Sequence, residues 1–160
     1  MHPAPSEVAN VGDLVSRAAR FHARRIAVAS PSRSITYEQL DRRANRLANA
    51  LRGLGLARGD RVGVYLPNCI EIVELELACY KAALVKGPIN ARLAPVEVAE
   101  VVANSEATLI VTTAKRAEAF LALLQGAAPR LLLLDAPDDA PASYEGQLAR
   151  ASDAFAAERV

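Results

Sequence analysis

The sequence is poor in aromatic residues and has almost no excess of charge. Aromatic residues make up 4% of the chain and tryptophan is absent, whereas 52% of the residues are hydrophobic. The core must therefore be built mainly from aliphatic side chains. The formal net charge is only +1. A dedicated nucleic-acid binder needs a basic excess to neutralise phosphates, so we expect no nucleic-acid partner.

Cysteine and histidine are too scarce for an obvious metal or disulfide framework. Cys69 and Cys79 form no CxxC pair, no histidine lies near either of them, and His2 and His22 are far apart in sequence. On one helix the two cysteines would be separated by about 15 Å, beyond disulfide reach. Cys69 follows a strand and could be a thiolate at a helix N-terminus. A buried, unreactive thiol is the favoured interpretation, and we predict no metal site.

Long hydrophobic runs are also missing. No stretch reaches the roughly 20 apolar residues that a bilayer span needs, so we expect no transmembrane segment. The first ten residues have neither the basic start nor the apolar middle of a signal peptide. Two free cysteines fit a reducing compartment. We therefore expect a soluble, cytoplasmic chain.

What is present is a regular succession of elements. Asp13 is predicted to cap a first helix that ends near residue 23, and a hairpin follows, with strands at 26–29 and 34–36. Thr36 and Gln39 match a capping box, and the helix that they open ends at Gly53 and Gly55. Beyond residue 60, strands and helices alternate. The predicted strands are 61–66, 85–90, 108–112 and 130–134, and the predicted helices are 71–84, 96–104 and 114–124.

This alternation predicts an α/β fold: a doubly wound, mostly parallel sheet flanked by helices, with an N-terminal hairpin. The apolar run at 108–112 is typical of a central parallel strand. We divide the chain into a disordered or extended N-terminus (1–12), an α/β subdomain (13–135), and a linker with a weak helix (136–160).

No complete catalytic motif accompanies this fold. The glycines match neither GxGxxG nor GxxxxGK[ST], and there is no GxSxG elbow around a serine. Glu74 and Glu76 are two residues apart and point to different faces of a helix. We therefore predict no catalytic residue and no metal ligand in this chain.

The order of three segments nevertheless resembles a known family. The segments are SITYEQLDRRANRLANAL, GLARGDRVGVYLPNCIE and LACYKAALVKGPINARLAPVEVAEVVANSEATLIVTT. Together they resemble the opening region of the adenylate-forming, AMP-binding acyl-activating enzymes, over about residues 10–135. Residues 35–40 resemble the first core motif of that family, and residues 81–93 resemble the second, in the form common among acyl-CoA ligases.

The resemblance implies part of the large N-terminal domain of an acyl-CoA ligase. Such an enzyme uses ATP and Mg to turn a carboxylic acid, here possibly a fatty acid, into an acyl-adenylate, and then transfers the acyl group to coenzyme A. The implied partners are the remainder of that N-terminal domain and a C-terminal domain. The phosphate loop and the C-terminal adenylation lysine of the family have no counterpart in this sequence. We thus expect the chain alone to be inactive and to bind none of these cofactors tightly.

One residue carries a role over from the family. In some acyl-CoA ligases the arginine that matches Arg92, in the NARL stretch, contacts a phosphate of coenzyme A. The resemblance implies the same for Arg92. Other residues of the three matching segments (Tyr37, Glu38, Arg43, Asn45 and Asn90) are interpreted as fold residues.

Two alternatives remain open at this point. The chain could be a stand-alone binding module without catalysis, or part of a peptide-synthetase adenylation domain. The NARL form of the second motif speaks against the latter. A truncated domain would also expose an apolar face, and we therefore expect self-association.

Overall fold

The computed structural model describes residues 11–156, and within them it confirms the predicted α/β fold. The expectation of a disordered or extended start, including His2, falls mostly on residues 1–10, outside the described residues. The described part contains, in chain order, α1 (Asp13–His22), β1 (Ile26–Ala29), β2 (Ser34–Thr36), α2 (Tyr37–Gly53), β3 (Arg61–Val64), α3 (Ile70–Lys81), β4 (Val85–Pro88), α4 (Pro95–Asn104), β5 (Ala107–Thr112), α5 (Ala114–Leu121), β6 (Arg130–Leu133) and α6 (Tyr144–Arg150).

The N-terminal part is a hairpin followed by a well-capped helix. Strands β1 and β2 pair antiparallel, as predicted. The Thr36 hydroxyl accepts from the Gln39 N–H at 3.3 Å, and the Gln39 side chain accepts from the Thr36 N–H at 2.9 Å, which completes the capping box. The prediction that Asp13 caps α1 was wrong. Gly12 is the N-cap, and Asp13 lies one position inside, where its charge still favours the helix N-terminus.

The main sheet has the strand order β4-β3-β5-β6, and all three pairings are parallel. The chain passes from β3 to β4 on one side and then returns to place β5 on the other side of β3. The direction in which successive strands are added to the sheet therefore reverses, and the switch point lies between β3 and β5. In open parallel sheets, ligands bind at the carboxyl ends of the strands beside such a reversal.

Helices cover both faces of this sheet, so the sheet is doubly wound. On one face, Leu51 of α2, Leu75 of α3 and Leu148 of α6 share a buried cluster with Leu109 and Val111 of β5. On the other face, Val98 of α4 and Phe120 of α5 pack in a cluster with Ile110 of the same strand. Successive residues of a strand point to opposite faces, so β5 contributes to both clusters.

Several segments differ from the sequence prediction in extent. Strand β3 ends at Val64 instead of residue 66, and β4 ends at Pro88 instead of residue 90. Helix α3 ends at Lys81 instead of residue 84, because Ala83 adopts a left-handed φ of 52°. Helix α5 ends at Leu121 instead of residue 124. In the region predicted as a linker with a weak helix, α6 forms, and its Tyr144 is completely buried in the first cluster. None of the helices within residues 11–156 has the length and apolar character to cross a membrane.

Candidate functional site

A cleft of about 590 Å³ opens at the carboxyl edge of the sheet. We call it the carboxyl-edge cleft. It lies where β3 and β4 end, and α5 closes one side of it. Its lining consists of Val64, Leu66, Pro67, Asn68, Ile72, Lys86, Pro88, Ile89, Asn90, Ala91, Arg92 and Arg116. The position agrees with the general location of ligand sites in such sheets.

The lining of the carboxyl-edge cleft carries only positive charge. Lys86, Arg92 and Arg116 contribute cations, and none of the described residues that line the cleft carries a carboxylate. Lys86 forms an ion pair with Glu76, which does not line the cleft; the Lys86 Nζ lies 2.6 Å from Glu76 Oε2. That hydrogen bond lowers the pKa of Glu76, so the carboxylate of Glu76 is ionised at neutral pH. The arrangement suits an anion, and guanidinium groups suit phosphate in particular.

Arg92 reaches this cleft because the chain turns sharply after β4. The Asn90 side chain accepts a hydrogen bond from the Arg92 N–H at 3.0 Å, and the Leu93 N–H donates to the Asn90 carbonyl at 3.2 Å. Asn90 thus fixes the turn, as predicted. Arg92 is exposed, and its guanidinium has no hydrogen-bond partner within residues 11–156.

Arg116 comes from a different element and contacts the same turn. It lies in the first turn of α5, directly after the central strand β5. One of its guanidinium nitrogens donates to the Ala91 carbonyl at 3.2 Å. The guanidinium carbon is 4.8 Å from the centre of the Tyr65 ring, within the range of a cation–π contact. Tyr65 is itself buried and packs edge-on against Phe120.

Cys69, which the sequence suggested as a possible nucleophile, lies in surroundings that keep its thiol protonated. Cys69 is the N-cap residue of α3 and is half-buried. Burial, helped by the neighbouring Glu71, raises the pKa of its thiol to about 11. Burial also raises the pKa of Cys79 to about 12. Both side chains are therefore protonated thiols near neutral pH, which favours the interpretation as structural residues.

The buried acid Glu74 belongs to a charge network that holds helices together. Both of its carboxylate oxygens accept from Arg43, at 2.6 and 3.1 Å, and Oε2 also accepts from the Tyr144 hydroxyl at 2.8 Å. Arg43 donates further to Glu145. Burial acts to lower the pKa of Arg43, but the hydrogen bonds that it donates to Glu145 and Glu74 raise it overall. These contacts link α2, α3 and α6, so Arg43 is a fold residue, as interpreted from the sequence.

The remaining candidates lie in surface or structural positions. The ring of His22 is 6.5 Å from that of Tyr37, at the exposed end of α1. Asn45 donates to the Asp153 carbonyl at 2.9 Å, and Glu38 pairs with Arg42. Within the described part of the chain, no three His, Cys, Asp or Glu side chains come together in a way that could hold a metal ion. We therefore assign no magnesium ligand to these residues.

Sequence reasoning identified Arg92 but missed Lys86 and Arg116. Lys86 lies within the second motif and Arg116 lies 24 residues after Arg92, and neither has a local pattern that marks it. The available signal was topological, since Arg116 begins the helix that follows the central strand. A side chain in that position comes close to the carboxyl edge of the sheet.

Comparisons with known proteins bear on this site. The family model described as "AMP-binding enzyme" matches residues 15–158. A feruloyl-CoA synthase from Amycolatopsis is 38% identical over 133 residues, which are 82% of this chain and 27% of that protein. The long-chain-fatty-acid–CoA ligase FadD13 from Mycobacterium tuberculosis is 34% identical over 122 residues, which are 75% of this chain and 24% of that protein. The chain thus spans about a quarter of the length of each of these two curated relatives.

A solved structure agrees with these relatives. The N-terminal domain of FACL13 from Mycobacterium tuberculosis superposes with a TM-score of 0.81 at 30% identity, over 94% of this chain and 38% of that one. The similarity covers the hairpin, the four-stranded sheet and both helical layers, because nearly all of the chain is matched.

Proposed function

The chain belongs to the AMP-binding enzyme family, and we propose that it forms the N-terminal part of an acyl-CoA ligase. The ligase converts a carboxylic acid and ATP into an acyl-adenylate and pyrophosphate. The coenzyme A thiol then attacks the acyl carbon, forming a thioester and releasing AMP. Because the chain spans about a quarter of its relatives' length, the reaction needs the remainder of the N-terminal domain and the C-terminal domain as partners.

The observation that carries this proposal is the position of Arg92. It lies in the carboxyl-edge cleft, on a turn fixed by Asn90, and its guanidinium has no partner among residues 11–156. We assign it the role of holding a phosphate of coenzyme A. A cleft lined by three cations and no carboxylate attracts such a group from solution. Bidentate hydrogen bonds from the guanidinium would then orient it.

The acid is proposed to be a fatty acid, and the compartment the cytoplasm. The name of the Mycobacterium tuberculosis relative refers to long-chain fatty acids, whereas that of the Amycolatopsis relative refers to ferulate. Mg-ATP would supply the adenylyl group and neutralise the departing pyrophosphate. Residues 11–156 contain no cluster fitted to hold the metal. We therefore assign the ATP and magnesium contacts to other segments of the ligase and propose that this chain alone is inactive.

Two measurements test the proposal. The coding sequence after Val160, read in frame, should encode a Thr/Ser/Gly-rich phosphate loop, whereas an immediate stop codon would support a stand-alone module. The chain should release no pyrophosphate above background when it is mixed with ATP, magnesium and a fatty acid. Release that is proportional to chain concentration would contradict the proposed inactivity.

The role of Arg92 is tested by titrating the isotopically labelled chain with coenzyme A and following the amide resonances. We expect weak binding that Arg92→Ala reduces about fivefold or more, since a charge-assisted contact is lost. Lys115→Ala is the matched control, because Lys115 is an exposed cation on α5 that does not line the cleft. Equal effects of the two substitutions would argue for nonspecific attraction and against the assignment.

A further inference from the structure

We propose that Arg116 is a positioning residue, which holds the Arg92 turn so that the carboxyl-edge cleft prefers a phosphate monoester. This inference rests on the proposed role of Arg92 in binding coenzyme A. It goes further by naming the group that is recognised and the second residue that recognition requires. The three observations that support it are a hydrogen bond, a cation–π contact and the charge of the cleft.

The first observation is that Arg116 ties the turn to the sheet. Its side chain donates to the Ala91 carbonyl at 3.2 Å, one residue before Arg92. The Asn90 side chain holds the Arg92 N–H from within the turn, at 3.0 Å. The backbone on either side of the Ala91–Arg92 bond is thus fixed. An exposed arginine on a free loop would lose more conformational entropy on binding than one on a fixed turn.

The second observation is that Arg116 is itself held in place. Its guanidinium lies 4.8 Å from the centre of the Tyr65 ring, and the Tyr65 ring is buried against Phe120. Tyr65 directly follows β3, so the stack connects α5 to the end of a central strand. A planar guanidinium can stack on the ring and donate in its plane at the same time. An ammonium group provides no such planar arrangement.

The third observation concerns charge. Lys86 is compensated by Glu76 at 2.6 Å, and the Arg116 guanidinium is held by the Ala91 carbonyl and the Tyr65 ring, which leaves Arg92 as the cation of the cleft lining whose charged group has no partner within residues 11–156. A phosphate monoester near neutral pH carries about −1.5 to −2 charges, so this guanidinium attracts it more strongly than the singly charged phosphate of a diester or each phosphate of a diphosphate. Coenzyme A carries one phosphate monoester, at its 3′ position, and 3′-dephospho-coenzyme A lacks only this group.

The test compares the affinities of the chain for these two compounds by NMR titration. The unmodified chain should bind coenzyme A about fivefold more tightly than dephospho-coenzyme A. Arg116→Gln and Arg116→Lys should both bring this ratio to within twofold of one, since neither replacement stacks and donates as the guanidinium does. Tyr65→Phe keeps the ring and should leave the ratio unchanged. If Arg116→Lys retained the affinity ratio of the unmodified chain, the positioning role of Arg116 would be overturned.

A double substitution separates positioning from direct binding. If Arg116 acts through Arg92, the affinity of Arg92→Ala/Arg116→Gln for coenzyme A should equal that of Arg92→Ala within error. A further loss would make Arg116 a direct ligand and overturn the inference. An unchanged ratio in Arg92→Ala, or a ratio of one in the unmodified chain, would instead overturn the proposed role of Arg92. Thermal unfolding of each variant identifies any change in affinity that is caused by misfolding. If Arg116→Gln does not fold, the affinity ratio measured for Arg116→Lys tests the positioning role.

Discussion

Arginine residues in this chain serve two different purposes, and their partners distinguish them. Arg43 is surrounded by carboxylates from α3 and α6, which neutralise it and hold three helices together. Arg92 lines the carboxyl-edge cleft and has no carboxylate partner in the part of the chain that the structure describes. The two residues are alike in type, and both lie in segments through which the sequence resembles the family. Only the partners, which come from distant parts of the chain, separate a structural from a ligand-binding role.

The Arg43 network leads to a prediction about Glu74. Glu74→Gln should lower the free energy of unfolding by about 2–4 kcal/mol, because it leaves Arg43 and the Tyr144 hydroxyl imperfectly paired at a fully buried position. Glu145→Gln is the matched control, since Glu145 binds the same guanidinium from an exposed position. We expect it to cost less than about 1 kcal/mol. Urea denaturation followed by circular dichroism measures both, and equal losses would contradict this account.

Strands and helices were predictable where a local pattern determines them. The capping box at Thr36 and the apolar run of β5 each appear in a short stretch of sequence, and the structure confirms both elements. The end of α3 was not predictable, because it depends on the positive φ of Ala83, a residue with no preference for that conformation. Likewise, the burial of Tyr144 depends on its contact with Glu74, 70 residues away.

At the level of the sheet, Gly63 in β3 leaves room for the side chain of its register partner Ile110 on the neighbouring strand β5. A Cβ atom at this position would lie 2.3 Å from Cδ1 of Ile110, which is fully buried on β5. Gly63→Ala should therefore destabilise the fold by about 1–3 kcal/mol. Its register partner Gly87, on β4, has its nearest atom at 3.8 Å, so Gly87→Ala should cost less.

The same contact provides a rescue experiment. Ile110→Val removes the Cδ1 atom, and in that background Gly63→Ala should cost less than it does in the unmodified chain. Chemical denaturation of the four variants gives the coupling between the two sites. Additive losses would mean that the Gly63 effect comes from backbone conformation and not from this contact.

At the scale of the whole molecule, the fold class could be predicted but the site could not. Alternation of strands and helices is sufficient to predict a doubly wound sheet, since few arrangements bury such a pattern. The cleft, by contrast, is formed by β3, β4 and α5, and their proximity depends on the strand order β4-β3-β5-β6. Arg92 was found through the family resemblance, whereas Arg116 has no signal until the folded chain brings the start of α5 to the turn that follows β4.

The exposed apolar surface leads to the last prediction, which concerns association. Val11, Leu14, Phe21 and Ile26 are more than half exposed, and all four belong to α1, its flanks or the hairpin. Leu14 and Phe21 lie two turns apart on the same face of α1. Large apolar side chains that are exposed together favour contact with another surface. We therefore expect the chain to self-associate as its concentration rises, with an increase in the mass measured by light scattering.

Charged substitutions at two different exposed positions should show whether the apolar surface of α1 is responsible for the association. Phe21→Asp places a charge within the exposed apolar surface of α1 and should shift the association to at least severalfold higher concentration. Leu123→Asp is the matched control, because Leu123 is 50% exposed but follows α5 and lies far from α1 in the sequence. A chain that stays monomeric at all concentrations would contradict the prediction. An equal effect of both substitutions would show that general solubility, and not the α1 surface, governs association. The two changes add the same charge at apolar positions that are each at least half exposed.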